Sequence, residues 1–217
     1  MKKLMRKKLA LMQGIKPYAK EIEYIESSGG QYIDTDLVGK SGYTLETNMC
    51  FTRLATGAYQ YFAGFAYSGS SDRLYYIRAA NTADRLGYTY GSQNTSTASL
   101  YTLVENTYYV LRAVMKADDQ RMIVDGAQVG SSTYAVLPVS TTKIKNIYMF
   151  AINGVNTTLN YCYARMKSAK WYDENDNLVR DFIPVLDYNN VACIYDKVTG
   201  RLFYNKGTGD FTPGNVI

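Results

Sequence analysis

The sequence predicts an all-β chain folded as an antiparallel two-sheet sandwich, preceded by a short helical or disordered basic arm. Three observations carry this. About a dozen short runs of β-branched and aromatic residues alternate with Gly, Asn, Asp and Ser turns. No helical period follows residue 20. Tyrosine dominates the aromatics, with 22 Tyr against 7 Phe and 1 Trp. Tyr suits a pleated, half-wet surface, because its ring packs inward while its hydroxyl reaches water. At 217 residues one such domain fits and a second full one does not.

The arm comes first. Residues 1–20 hold Lys2, Lys3, Arg6, Lys7, Lys8, Lys16 and Lys20 and no acid. With +7 there and +5 overall, residues 21–217 carry −2. The basic character belongs to the arm, so a broad nucleic-acid face on the domain is not expected. Met1 to Gln13 reads as a short helix with Leu4, Met5, Leu9, Leu11 and Met12 as its apolar members, stopped by Gly14 and Pro17. It is too short to span a bilayer, and no small-residue cleavage site follows it, so neither a membrane span nor a secretion signal is expected. Lys2, Lys3, Arg6, Lys7 and Lys8 are read as part of a frayed or partner-docked tail, or as an assembly arm that inserts into a larger assembly. Contact with nucleic acid or anionic lipid is the alternative.

The domain is expected over residues 21–217. Glu21–Glu26 and Gln31–Thr35 read as strands flanking a Ser-Ser-Gly-Gly turn. Tyr43–Arg53 alternates, with Tyr43, Leu45, Thr47, Met49 and Phe51 on one face. Tyr59–Tyr67 is aromatic, and Gly64 inside it marks a bulge or a close neighbouring backbone. Arg73–Arg78 and Arg85–Tyr90 follow, then a polar loop over Gly91–Ser99. Tyr108–Lys116 and Arg121–Val124 form a hairpin, and Asp125-Gly126 is a second tight turn returning through Ala127–Gly130. Lys143–Ala151 and Asn160–Tyr172 are strands, the latter ending at the polar turn Asp173–Asn177.

Leu178 to Ile183 reads as a strand closed by Pro184, which cannot donate to a ladder. Arg180 and Asp181 point to opposite faces, so in an interior strand each needs its own partner elsewhere. Asp196-Lys-Val-Thr-Gly200 is a hairpin turn, and Lys206-Gly-Thr-Gly209 releases the chain to its tail.

Several chemistries are excluded. With no histidine, Ser-His-Asp and Cys-His catalysis fail and the commonest zinc ligand is missing. Cys50, Cys162 and Cys193 are far apart and odd in number, so they are expected as small apolar strand residues, reduced in a cytoplasm. Asp34 and Asp36 share a strand face and could help bind Ca²⁺, but two acids are too few for its six to eight oxygen ligands, and no cofactor is expected. Trp171 shares a face with Ala169 and is expected in the core. Asn94-Thr-Ser96 and Asn156-Thr-Thr158 match a glycosylation sequon and read as polar loops.

Two stretches resemble known families. Leu178–Pro184, Tyr195–Gly200, Phe203-Tyr-Asn205 and Gly207-Thr-Gly209 resemble the C-terminal end of LamG-like domains, concanavalin A-like jelly rolls abundant in gut bacteria and their phages. Glu23–Thr35 is similar to their opening strand pair, and Met122–Gly126 to their hairpin. The resemblance spans roughly residues 21–214 and fixes a fold better than a function. Glu21, Glu23 and Glu26 are similar to the E-x-D-x-x-E strand of glucanases with this fold. In a regular strand Glu26 faces away from the other two, and only a bulge brings it round.

The resemblance implies a recognition or assembly module without enzymatic activity: a phage-associated structural or host-surface-binding protein, in the virion or in host cytoplasm before assembly. The alternative is a stand-alone glycan-binding domain of a gut bacterium; a degenerate glucanase comes last. Tyr59, Tyr61, Tyr75, Tyr88 and Tyr90 are the expected ligand contacts, because Tyr brings contact area at low entropic cost. Partners are other virion or surface proteins and a cell-surface glycan, in a chain that could form oligomers.

Overall fold

The computed structural model describes residues 16–39, 42–54, 57–66, 73–79, 85–90, 101–116, 119–132, 145–154 and 160–217. The arm residues Lys2, Lys3, Arg6, Lys7 and Lys8, the helix read over Met1–Gln13 and the loop read over Gly91–Ser99 lie outside them. Two sheets pack face to face. The larger has 11 strands. Its main path runs β10 (Ala127–Ser132), β9 (Gln120–Val124), β8 (Tyr109–Met115), β4 (Thr44–Phe51), β13 (Tyr163–Tyr172), β14 (Leu178–Leu186), β15 (Ala192–Asp196) and β16 (Arg201–Phe203). Beside this path β1 (Lys20–Glu21) pairs with β14, while β2 (Ile25–Ser28) pairs with β13 and with β17 (Thr212–Pro213). The smaller sheet runs β3 (Ile33–Val38), β11 (Asn146–Met149), β5 (Gln60–Ala66), β6 (Arg73–Ala79) and β7 (Leu86–Tyr90), with β12 (Ala151–Asn153) parallel on β5. No helix occurs among the described residues.

The core lies between the sheets. Leu45, Met49, Met166, Ala169, Trp171, Phe182 and Ile194 come from the large sheet, and Ile33, Phe62, Tyr76, Tyr88, Ile147 and Met149 from the small one. Trp171 takes the expected core position, with Tyr76 and Tyr43 edge-on at 4.7 and 6.3 Å between ring centroids. The three cysteines are buried free thiols.

Several local readings change. The Ser-Ser-Gly-Gly turn joins no hairpin: it carries the chain from β2 in one sheet to β3 in the other. Lys143–Ala151 splits at Phe150, whose φ of 65° turns the chain between β11 and β12. Pro184 does not close its strand, which runs on to Leu186. The Pro184 carbonyl accepts from the Ile22 N–H at 3.2 Å, so the ring nitrogen faces that same side, away from β15. The packed chain also reaches back before residue 21, for Tyr18 is buried against Val185 and Cys193 and the Ala19 N–H donates to the Leu186 carbonyl. Gly64 does lie in a bulged stretch of β5. Asp125 and Gly126 turn the β9–β10 hairpin with φ of 49° and 84°.

The interior charge on β14 finds its partner as required. Arg180 reaches Asp196 of β15 at 3.6 Å and donates to the carbonyls of Thr35 and Val179. Asp196 is fully buried and accepts from the Asp181 and Val198 N–H groups and the Thr199 hydroxyl. Asp187 caps the β14–β15 turn by accepting from the N–H groups of Asn189 and Val191 and from the Tyr204 hydroxyl. Burial pushes its carboxyl up, but these donors outweigh that and hold it below the usual carboxylate range.

Two outcomes follow for stability. Asp196→Ala strips a largely buried guanidinium and two N–H groups of their acceptor and costs about 3 kcal/mol, whereas Asp181→Asn, half-buried on the outer face, costs under about 0.5 kcal/mol. Equal denaturation midpoints for the two variants would contradict the buried-pair account. A depressed native carboxyl contributes stability that is present above its unfolded value, about 3.9, and lost as pH falls through the lower native one. Stability of Asp187→Asn, followed from pH 5 downwards, is therefore expected to fall less steeply than that of the native chain (roughly the window set by these values); parallel curves would contradict the assignment.

Candidate functional site

The site begins with a packing requirement. Ile22 and Ile25 are both buried in the core, 2% and 0% exposed. Residues three apart on a regular strand face opposite ways. The chain meets the requirement by leaving strand geometry at Glu23-Tyr24, between β1 and β2. Its neighbour does the same: Ala164, Met166, Ala169 and Trp171 of β13 all face the core, and Lys167 is the extra residue where the register to β4 shifts between Met166 and Ser168. The two irregularities lie side by side. There β13 stops pairing with β2 and takes up β14.

This break brings Glu26 round. Glu21 lies opposite Val185, and Glu26 opposite Arg165, on the outer face of the large sheet. Glu23 is exposed and lines a depression there. The regular-strand expectation that Glu26 faces away is therefore corrected. The depression, about 280 Å³, has Glu21, Glu23 and Lys167 as charged walls and Ile22, Ile183, Pro184 and Ile217 as apolar ones.

Each charge around it is held. Glu21 accepts from Lys16 Nζ at 2.7 Å and from the Tyr18 hydroxyl at 2.6 Å, and the Lys16 bond above all holds its carboxyl below the usual range. Glu23 accepts from Asn215 Nδ2 at 3.0 Å, and Glu26 from Arg165 Nε at 2.8 Å. The Arg165 guanidinium lies 5.0 Å from the Tyr24 ring centroid, and Lys167 Nζ lies 4.3 Å from that of Tyr108. Burial pushes both the Tyr108 phenol and the Cys50 thiol beneath it up. Asn48, opposite Ser168 and Val110, keeps a buried Oδ1 with no hydrogen-bond partner. Further along the same face Asp181, Lys170, Glu46 and Arg112 form one cross-strand row of alternating charge. Carboxylates, an amide, an ammonium and a guanidinium on one face suit a polyhydroxylated ligand. Retaining glycosidases also place two carboxyls on one face, about 5 Å apart.

The tyrosines named from sequence lie on or next to the small sheet. Tyr59 is exposed, with the Arg78 guanidinium 4.4 Å from its ring centroid, and stands 6.1 Å from Tyr61. Tyr61 is buried against Ile152. Tyr88 is corrected: strand alternation turns it inward with Leu86, it is fully buried, and its hydroxyl donates to the Gln120 carbonyl. Tyr75 and Tyr90 occupy β6 and β7, and their side chains lie outside the described residues. Asp34 accepts from Asn146, and Asp36 pairs with Arg201 at 2.9 Å. Among the described residues no group of three or more acids and cysteines is arranged to hold a metal ion, and no helix is long and apolar enough to cross a membrane. Sequence reasoning missed Tyr24, Asn48, Tyr108, Arg165 and Lys167. A signal was present: apolar residues at 164, 166, 169 and 171 keep one face only if one residue between them is extra.

No family model matches the chain, and a search of curated proteins finds no relative. Solved structures do resemble it. A candidate carbohydrate-binding protein of Bacteroides ovatus ATCC 8483 superposes with a TM-score of 0.62 at 15% identity, over 91% of this chain and 62% of the other. The chain thus spans under two thirds of that protein's length. Weaker likenesses include a β-1,3-glucanase of Mycobacterium marinum, with a TM-score of 0.39 at 10% identity over 65% of this chain and 67% of the other. A glycosyl hydrolase family 16 protein of Mycobacterium smegmatis gives a TM-score of 0.33 at 14% identity over 63% and 66%. The fold is a concanavalin A-like jelly-roll sandwich. The sequence-based expectation of a chain without enzymatic activity is withdrawn, because this fold does not separate binder from hydrolase.

The Glu26–Arg165 pair is half-screened by protein, so a double-mutant cycle with Glu26→Gln and Arg165→Met is expected to give a coupling of about 0.5–1 kcal/mol. A coupling of zero would contradict the pairing that fixes Glu26.

Proposed function

We propose that the chain is a glycan-binding domain of the LamG-like kind and that it holds its ligand on the outer face of the large sheet. One observation carries the reading: paired irregularities in neighbouring strands set Glu21, Glu23 and Lys167 around a depression, on the same outer face as Glu26, Arg165 and the buried Asn48 amide oxygen. Strand bulges often re-aim side chains in this way next to sites. Planar and charged groups of both signs match the vicinal hydroxyls of a saccharide. The likeness to a candidate carbohydrate-binding protein agrees with this. The phage or virion setting expected first has no support in the fold or the comparisons, and the glycan-binding alternative takes its place.

A second reading, glycoside hydrolysis, is favoured by the outward placement of Glu21, Glu23 and Glu26 on one sheet face. Under it one carboxyl attacks or stabilises the sugar carbon and another protonates the leaving oxygen.

Binding calorimetry against bacterial and host polysaccharides tests the first reading. Lys167→Ala and Asn48→Ala are each expected to weaken the best ligand about tenfold, the loss of one or two good hydrogen bonds; unchanged affinity in both contradicts the site. Release of reducing ends from β-glucans tests the second. Activity lost in Glu21→Gln and in Glu26→Gln supports it, and no release above buffer removes it.

A further inference from the structure

The opposite outer face, on the small sheet, carries a different set of groups. Tyr32 and Tyr148 stack at 4.6 Å between centroids with planes 25° apart, and Tyr161 lies 6.4 Å from Tyr32. All three are partly exposed. On the large sheet Tyr24, Tyr108 and Tyr172 each have a cation, Arg165, Lys167 or Arg112, within 5.6 Å of the ring centroid. No such cation lies against Tyr32, Tyr148 or Tyr161 among the described residues.

Beside the tyrosines stands a prepared polar pair. Asp34 lies directly opposite Tyr148 across β3 and β11. Its carboxylate oxygens accept from Asn146 Nδ2 at 3.0 and 3.3 Å. Asn153 Nδ2 in turn donates to the Asn146 carbonyl at 2.9 Å, which ties β12 to β11 beside the pair. Burial, with Tyr32 and Asp34 close by, pushes the Tyr148 phenol up to about 12. A tyrosine phenol is protonated at neutral pH and can donate as well as accept.

We propose that Tyr32, Tyr148 and Tyr161, with Asp34, form a second saccharide-contact site, selective for neutral sugars. The apolar C–H face of a pyranose packs on an aromatic ring that no cation covers among the described residues. The carboxylate oxygens of Asp34 have lone pairs left for hydroxyl donors. An anionic sugar is disfavoured, because its charge would meet the Asp34 carboxylate. The inference rests on the glycan-binding reading and extends it: the two sheets turn their outer faces in opposite directions, so the domain engages two segments of glycan at once and gains by avidity.

The test is an NMR titration of tyrosine ring signals with neutral gluco-oligosaccharides, run on the native chain, Tyr148→Ala, Tyr161→Ala and Lys167→Ala. Shifts of the Tyr32 and Tyr161 signals that persist in Lys167→Ala and weaken about tenfold in Tyr148→Ala support the site, a loss on the scale of one ring contact. Tyr161→Ala serves where Tyr148→Ala disturbs the fold. Shifts confined to Tyr24 and Tyr108 overturn the second site and leave the first standing. No shift at any tyrosine overturns both. Equal shifts with a uronic-acid oligosaccharide overturn the selectivity.

Discussion

Two isoleucines three residues apart both have to reach one core, and much of the molecule follows from that. Ile22 and Ile25 cannot do so on a regular strand, so the chain breaks step at Glu23-Tyr24. Burying each isoleucine is worth roughly 1.5–3 kcal/mol, enough to outweigh the ladder bonds lost at the break. Lys167 of β13 breaks step alongside. The sheet forks there, with β2 on one arm and β14 on the other, and acids that a straight strand would divide between core and solvent all face outward. A hydrophobic requirement thus sets the polar site.

The fork holds because the far end of the chain closes it. The N–H of Glu23 donates to the Asn215 carbonyl and that of Gly214 to the Tyr24 carbonyl, so the tail takes up the donors and acceptors that the irregular stretch cannot offer to β13. On the other arm Arg180 and Asp196 lock β14 to β15, while the Arg180 bond to the Thr35 carbonyl ties that arm to the small sheet. Removing these charges from water is costly, and the cost is met by donors on every side of Asp196. First and last segments are in this way one structural unit.

Much of the fold was legible because strand alternation and turn chemistry are local. The hairpins at Asp125-Gly126 and Asp196–Gly200, the bulged stretch at Gly64 and the core place of Trp171 all follow from short windows. What failed was non-local. Pro184 reads as a strand end until Ile22 is seen on its nitrogen side. The Ser-Ser-Gly-Gly turn is legible as a turn, but its change of sheet leaves no mark in the turn itself. Tyr88 reads as surface when tyrosines are counted instead of phased; Leu86 two residues earlier gives its face. The candidate site was half visible. Glu21, Glu23 and Glu26 stand out in the sequence, along with the need for a bulge, but Arg165, the partner of Glu26, sits 139 residues away, and Lys167 beside it.

Ligand is expected at the fork between β2, β13 and β14. A crystal structure with a bound oligosaccharide tests it most directly. The account predicts sugar hydroxyls within hydrogen-bond distance of Glu23 and Lys167, with Ile183 and Pro184 beneath the ring. Sugar bound only at the loops along one end of the sandwich, with the fork left to solvent, would contradict it.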